Sequence, residues 1–305
     1  RIGLTLPPFE VEFDASLADD EMRFCVHEVP MVKATQGQRV AVARSTFEDE
    51  PGNGIPGLLE REEQDWVWLA ADHPLLDDPQ LERFSALSLI IERMTQSMML
   101  SGPQFLGIQE SKSILGWLES NQPELVQELQ RIMPLSRFSA VLQRLASEGV
   151  PLRAVRPIVE SLIEYGQHER EPEALADYAR IALKSQIFHQ YSETDGLHAW
   201  LLAPQTENIL REALRQTQTG VFFALDNDSS AALVSLLNQA FTLRPKTKSV
   251  MLVAQDLRSP LRTLLLEEFN HVPVLSFAEL GSTSKVKVLG RFDLGQDVLM
   301  HGALA

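Results

Sequence analysis

The chain has 305 residues, 44% hydrophobic and 23% charged; this ordinary globular mixture excludes disorder, collagen and coiled coil for the chain as a whole. A single cysteine excludes an intramolecular disulfide framework and any cysteine-rich zinc or iron–sulfur site. The net charge is −15, from 27 Lys and Arg against 42 Asp and Glu, which disfavours nucleic acid as a partner because a phosphate backbone demands clustered cations.

Residues 9–13, Phe-Glu-Val-Glu-Phe, alternate with the period of a half-buried strand. Residues 22–29 do the same, with Met22, Phe24 and Val26 on one face and Arg23, Cys25 and His27 on the other. A third strand is predicted over 39–44. The acidic Pro/Gly stretch 46–65 reads as a loop, and Trp66-Val67-Trp68-Leu69 as a short strand. From Pro79 the period becomes helical, through Leu81, Phe84, Leu87, Leu89, Ile91 and Met94 towards Leu100, and Ser101-Gly102-Pro103 ends it.

Helices follow near 105–120, 123–132, 135–147, 153–165 and 172–190. Gly149 and Gly166 stand where C-terminal caps belong, and Pro123 and Pro172 where first-turn prolines belong. After Tyr191 strands near 197–202, 221–225, 249–254, 272–275 and 285–290 alternate with helices near 204–217, 229–243 and 257–269. The continuous apolar runs 221–225 and 250–254 suit strands covered on both faces. The tail after Leu294 is unpatterned and reads as a frayed end. No apolar run reaches the ~18 residues that span a bilayer. The chain begins at Arg1 without a signal segment, so it reads as part of a longer or processed protein.

The charge is uneven. Residues 1–100 hold 19 Asp and Glu against 8 Lys and Arg; the remainder holds 23 against 19. The first third therefore presents an acidic surface that draws basic partners or simply keeps the protein soluble.

Chemical motifs are thin. Gly52-Asn53-Gly54-Ile55-Pro56-Gly57 matches a dinucleotide fingerprint literally, but carboxylates crowd both sides and no apolar strand precedes it. His27-Glu28 has no second histidine at zinc-protease spacing, and His189 and His198 lie on different elements. Cys25 and His27 share a strand face without a third group to orient them. Asp226 reads as a turn and helix N-cap rather than the start of a calcium loop, and Asp256 as a second N-cap. Arg258 and Arg262, one turn apart, suit an anion or an internal carboxylate. No catalytic residue, metal ligand or cofactor site is assigned. The residues alone give a multi-part binding or assembly protein. The competing reading is an α/β hydrolase or transferase using Asp226 and Asp256 at strand ends. A third reading is a nucleic-acid binder through 105–191, which its 9 cations and 11 carboxylates disfavour.

Ordered blocks carry a resemblance. They are Phe105-Leu106-Gly107-Ile108-Gln109-Glu110-Ser111, Pro123-Glu124-Leu125-Val126, Val141-Leu142-Gln143-Arg144-Leu145, Glu148-Gly149-Val150-Pro151-Leu152-Arg153, Arg156-Pro157-Ile158-Val159-Glu160-Ser161-Leu162 and Tyr178-Ala179-Arg180-Ile181-Ala182-Leu183-Lys184. Leu252-Val253-Ala254-Gln255-Asp256-Leu257-Arg258 and Pro273-Val274-Leu275-Ser276-Phe277-Ala278-Glu279-Leu280 extend them. Together they resemble the cytoplasmic domain of the type III secretion export gate, the injectisome branch of a family that includes the flagellar export gate. The likeness runs from about residue 4 to 294.

The resemblance implies a mixed α+β and α/β fold of four subdomains. The first, N-terminal α/β subdomain comprises 1–32 with 69–104, lacks a leading strand and helix, and carries a small second subdomain inserted at 33–68. The third, at 105–191, is all-α and winged-helix-like; the fourth, at 196–305, is α/β, with a hinge near 192–196. It implies no enzyme and no cofactor, but a nine-membered ring at the cytoplasmic face of the bacterial inner membrane. The membrane part lies in an N-terminal half absent here. The implied partners are further copies of itself, secretion chaperone–substrate complexes, a gatekeeper protein and the ATPase stalk protein. Phe84 aligns with the family's chaperone-binding dimple. Ile55, Leu58 and Leu59 join it as apolar anchors in an acidic loop.

Overall fold

The computed structural model describes residues 8–19, 21–35, 39–43, 66–70, 72–77, 83–217, 220–241, 248–265, 269, 272–294 and 296–300. Two compact units emerge, Leu4–Phe105 and Leu106–Ala305. Helix and sheet are mixed in the chain as a whole.

In the first unit β1 (Glu21–Val26) and β2 (Val29–Thr35) pair as an antiparallel hairpin. The alternation predicts one strand over 22–29, but the chain reverses at His27 and Glu28, with φ of 48° and 65°. Two successive positive φ values make a tight hairpin turn. Neither residue is the glycine or asparagine that normally reports such a turn, so the sequence hides it. The reversal takes His27 off the strand face it was expected to share with Cys25; its ring lies 5.7 Å from that of Phe105, while Cys25 is exposed. Residues 9–13 are not a strand either. Phe9 packs against Phe24 with ring centroids 6.4 Å apart, and Val11 and Phe13 stay exposed.

A second sheet centres on β3 (Arg39–Ala43), with β4 (Trp66–Ala70) and β5 (Arg83–Ser85) antiparallel on either side. Val42, Leu69 and Leu76 form its core with Val40. Helix α1 (Ala86–Ser101) starts later than Pro79, because 83–85 pair with β3 first. Ser85 is the N-cap, its Oγ accepting the Ser88 amide at 3.1 Å.

The second unit opens with helices α2 (Ile108–Glu119), α3 (Pro123–Ile132), α4 (Leu135–Ser147), α5 (Val155–Tyr165), α6 (Pro172–Ala182) and α7 (Lys184–Tyr191). Their apolar residues recur at three and four, and Val126, Leu129, Phe138, Leu142, Ile158 and Leu162 are all buried. The single helix expected over 172–190 is two, broken at Leu183. Helix α4 ends in a Schellman motif: Val150 N–H donates to Leu145 O and Gly149 N–H to Ala146 O, both at 3.0 Å. Gly149 takes the required positive φ of 69°. That cap leaves Glu148 at the helix end.

The α/β half carries a sheet in the order β10-β9-β6-β11-β12. The strands are β6 (Leu197–Leu202), β9 (Ser249–Val253), β10 (Val274–Ser276), β11 (Val286–Asp293) and β12 (Gln296–Met300). The first four in that order are parallel, and β12 runs antiparallel on the edge, where the sequence suggests only a frayed tail. Gly196, at φ 126°, lets β6 start against β11: a Cβ there meets the Lys285 carbonyl at 2.7 Å.

Helices α8 (Pro204–Ala213), α9 (Asn227–Ala240) and α10 (Gln255–Leu265) complete the layer. Trp200, Phe241 and Phe292 pack as an aromatic trio in its core, 5.2 to 6.2 Å between centroids. Of the apolar run 250–254, Val250 to Val253 are buried as expected; the run 221–225 is not. It enters β8 (Gly220–Phe223), which among the described residues pairs with β7 (Leu214–Thr217) in a separate hairpin. Val221 and Phe222 are 41% and 44% exposed. Strand β7 also shortens the helix expected over 204–217.

Candidate functional site

In a parallel sheet, ligand sites form at the carboxyl ends of the strands, where helix N-termini converge. Here those ends lie at Leu202, Val253, Ser276 and Asp293. Arg258, in the first turns of α10, and Glu279, just after β10, stand at this edge and are buried. The helical half contributes Glu148 from the end of α4, and Asp177 and Arg180 from α6.

Glu148 takes the position of an anionic ligand. Arg180 Nη1 donates to its Oε2 at 2.8 Å and Arg258 Nη1 to the same oxygen at 2.5 Å. Arg144 Nε lies 3.0 Å from Oε1. Arg180 also grips Glu279 with two bonds, Nε to Oε1 at 3.1 Å and Nη2 to Oε2 at 2.7 Å. Arg258 donates to Asp177 as well, and Ser276 Oγ lies 3.2 Å from Glu279. Arg262 donates to the Val272 carbonyl at 3.0 Å. The two arginines singled out in the sequence are therefore held by internal partners.

The electrostatics follow. Burial pushes the Glu148 carboxyl up, but Arg180, Arg258 and Arg144 outweigh it and hold it at about 2. Burial pushes Asp177 up, and nearby Glu148 adds to this against the pull of Arg258. Burial also raises the Tyr191 phenol, despite Arg180 and Arg262 beside it. The arrangement binds one half of the unit to the other.

The carboxylates of the competing enzyme reading have structural duties. Asp226 caps α9, accepting the Ser229 amide at 2.8 Å and facing Ser229 Oγ at 2.9 Å. These bonds hold it below the usual carboxylate range. Asp256 is not an N-cap; it lies within α10 and accepts Arg211 Nε at 2.7 Å, which lowers it too. A general base is tuned upward towards neutral pH, the opposite of both.

Elsewhere His198 is buried at the start of β6, its Nε2 3.0 Å from Asp195, which Lys287 also approaches at 3.3 Å. His189 lies apart on α7. No group of three His, Cys, Asp or Glu that could hold a metal occurs among the described residues. None of their helices is long and apolar enough to cross a membrane. Phe84 is half-buried in β5, its backbone opposite Ala41. Ile55, Leu58 and Leu59, and the glycine motif at 52–57, lie outside the described residues. The network around Glu148 was missed in the sequence; the three arginines and three carboxylates that make it are up to 135 positions apart, and of these only Arg258 stood out.

Comparison with known proteins identifies the fold. A model of the FHIPEP family matches residues 1–285. The chain is 57% identical to the hypersensitivity response secretion protein HrpI of Pseudomonas syringae pv. syringae over 301 residues, 98% of this chain and 43% of that protein. It is 54% identical to the harpin secretion protein HrpI of Erwinia amylovora, over 97% of the chain and 42% of that relative. The chain thus spans less than half the length of these curated relatives. Among solved structures it resembles nonameric SctV-C of EPEC, at 27% identity and a TM-score of 0.74 over 95% of this chain and 89% of that one. It also resembles the CdsV and CdsO complex of Chlamydia pneumoniae, at 28% identity and 0.78 over 96% and 86%.

Proposed function

Because the chain belongs to the FHIPEP family, we propose that it is the ring-forming cytoplasmic domain of a type III secretion export gate and receives export cargo rather than performing covalent chemistry. The observation that carries this is the 57% identity to a hypersensitivity response secretion protein across almost the whole chain. The family relatives are secretion-apparatus proteins, not enzymes.

The ring reading is supported by the nonameric relatives, SctV-C and the EscV cytosolic domain. Protein docking is supported by the CdsV relative in complex with CdsO. We extend these to nine copies of this chain, chaperone–substrate complexes, a gatekeeper and the ATPase stalk protein. The ring lies at the cytoplasmic face of the inner membrane. Docking falls to the first two subdomains, 1–32 with 69–104 and 33–68, through Phe84, Ile55, Leu58 and Leu59. The subdomains 105–191 and 196–305 supply ring contacts, with a hinge near 192–196.

The test is replacement. The matching segment of the Pseudomonas protein is exchanged for this chain, and secreted harpin is measured. Secretion at near the parental level is the expected result. A stable, membrane-inserted chimera that secretes nothing overturns the reading. Sedimentation of the isolated chain across concentrations tests the ring separately.

A further inference from the structure

Within the second unit the helical half ends at Tyr191 and the α/β half begins at Leu197, so the chain joins them through 192–196. That segment is not a run of free residues. The Ser192 amide still donates to the Phe188 carbonyl at 2.8 Å and so continues α7. Glu193 and Gly196 exchange both backbone hydrogen bonds, at 2.9 and 3.2 Å, which closes a tight turn. Side chains tie this turn to the sheet. Glu193 Oε1 accepts the Lys248 amide at 2.9 Å, and Asp195 Oδ2 lies 3.0 Å from His198 Nε2 and 3.3 Å from Lys287 Nζ. Residues 193–196 therefore move with the α/β half, and the joint narrows to the bonds between Ser192 and Glu193.

A joint of that size is enough for a hinge, which needs only a few residues that absorb a change in φ and ψ. What opposes its motion lies elsewhere in the unit. Each half sends an arginine into the carboxylates of the other. Arg180 of α6 grips Glu279 with two bonds, at 3.1 and 2.7 Å, and its Nη2 reaches the Val274 carbonyl at 3.4 Å. Arg258 of α10 donates in the reverse direction, to Glu148 and Asp177. Glu148 also accepts Arg180 from its own half, so the two crossings meet on its carboxylate. Arg144 adds a bond across the halves, Nη2 to Ser259 Oγ at 2.9 Å. Arg180, Arg258 and Glu279 are all buried. Rotating one half away from the other separates both crossings at once and strands buried charges on each side, which is the costly way to break such a cluster.

We propose that Glu148, with Arg180, Arg258 and Glu279, is a latch that holds the joint at 192–196 shut, so that the two halves move as one block until the latch is broken. The inference rests on the hinge reading given above and adds what controls the hinge.

The experiment uses the whole chain with Cys25→Ser and two spin labels, at Lys112→Cys on α2 and Glu212→Cys on α8, both exposed positions. Pulsed electron spin resonance reads the distance between the halves. The labelled parent gives one narrow distance. Glu148→Gln with Glu279→Gln removes the charge of a crossing carboxylate on each side and keeps its shape, and a second distance then appears in about a tenth of the molecules or more. Each single substitution gives a smaller second population, and carries the test if the pair does not fold. Glu160→Gln, which removes the exposed pair with Arg156 on α5, leaves the narrow distance unchanged. Circular dichroism of each variant separates an open hinge from a lost fold. A broad distance in the parent overturns the proposal, because the hinge then moves with the network intact. One narrow distance in the folded double variant also overturns it. A short glycine insertion between Ser192 and Glu193 of that variant then tells the two failures apart. A new distance means a hinge that Glu148 does not hold; an unchanged one means that core packing fuses the halves and that 192–196 is no hinge. Both failures leave the export-gate reading to the harpin secretion test.

Discussion

The guanidinium of Arg258 donates across 2.5 Å to the carboxylate of Glu148, although 110 positions separate them. The bond joins the first turns of α10 to the last turn of α4, and so the α/β half to the helical half of one unit. Glu148 sits at the negative end of α4, where the helix dipole opposes a carboxylate. Arg144, Arg180 and Arg258 together reverse that preference. Desolvation makes such clusters poor sources of net stability, but removing one member strands the others. Glu148→Ala leaves the buried Arg180 and Arg258 and the partly buried Arg144 without their shared anion and is expected to cost about 3–5 kcal/mol. Chemical denaturation, followed by tryptophan fluorescence, measures it; a loss no larger than that of an ordinary surface substitution contradicts the assigned role.

The same network sets the acid limb of stability. The Glu148 carboxyl is held at about 2, below its ordinary value of 4.5. A depressed folded-state value means that the unfolded chain takes up the proton first. The contribution is fully present above pH 4.5 and drains away as pH falls towards 2. Asp177, pushed up by burial, works in the opposite sense, gaining as it protonates. The melting temperature is therefore expected to fall between pH 4.5 and 2, and Glu148→Gln to flatten that slope. An unchanged slope in a folded Glu148→Gln protein places the titrating groups elsewhere.

Much of the architecture was legible because periodicity is local. Helices α3 and α4 fall on their predicted bounds, and Pro123 starts α3 as a first-turn proline. The failures share a cause: the deciding contact is distant or the turn residue is atypical. Val221 and Phe222 read as a buried strand because hydrophobicity does not say which sheet a strand joins. The turn at His27 and Glu28 lacks its usual residues. Residues 83–85 lie inside a helical period but pair with β3. The site followed the same rule. Arg258 and Arg262 were legible as a cationic pair, whereas Glu148, Asp177 and Glu279 are ordinary surface-type residues until the fold brings them together. Phe84 came only from family resemblance, since one phenylalanine among many carries no local signal.

Gly149 offers a cleaner test of the α4 terminus. Its φ of 69° belongs to the left-handed region. A Cβ built there meets Tyr191 Oη at 3.8 Å, an ordinary contact, so sterics with neighbours add little. The conformational penalty alone is left, roughly 1–2 kcal/mol for Gly149→Ala. Gly149→Asn is expected to cost less, because asparagine tolerates this region. Equal losses for both variants in thermal unfolding contradict the backbone explanation.

Asp226 separates a cap from a catalyst. Its side chain accepts the Ser229 amide at 2.8 Å, supplying a partner for one of the unpaired donors at the start of α9. Asp226→Ala removes that acceptor and is expected to cost about 1 kcal/mol. Asp226→Ser keeps an oxygen at nearly the same distance from the backbone, and serine caps as well as aspartate does. The two variants therefore diverge: alanine lowers the melting temperature and serine nearly restores it. Export follows folded protein in the chimera described above, so serine also keeps secretion. A hydroxyl has neither the charge nor the basicity of a carboxylate, so a catalytic Asp226 fails equally as serine or alanine. Normal stability with abolished function in Asp226→Ser is the result that returns the strand-end carboxylates to contention.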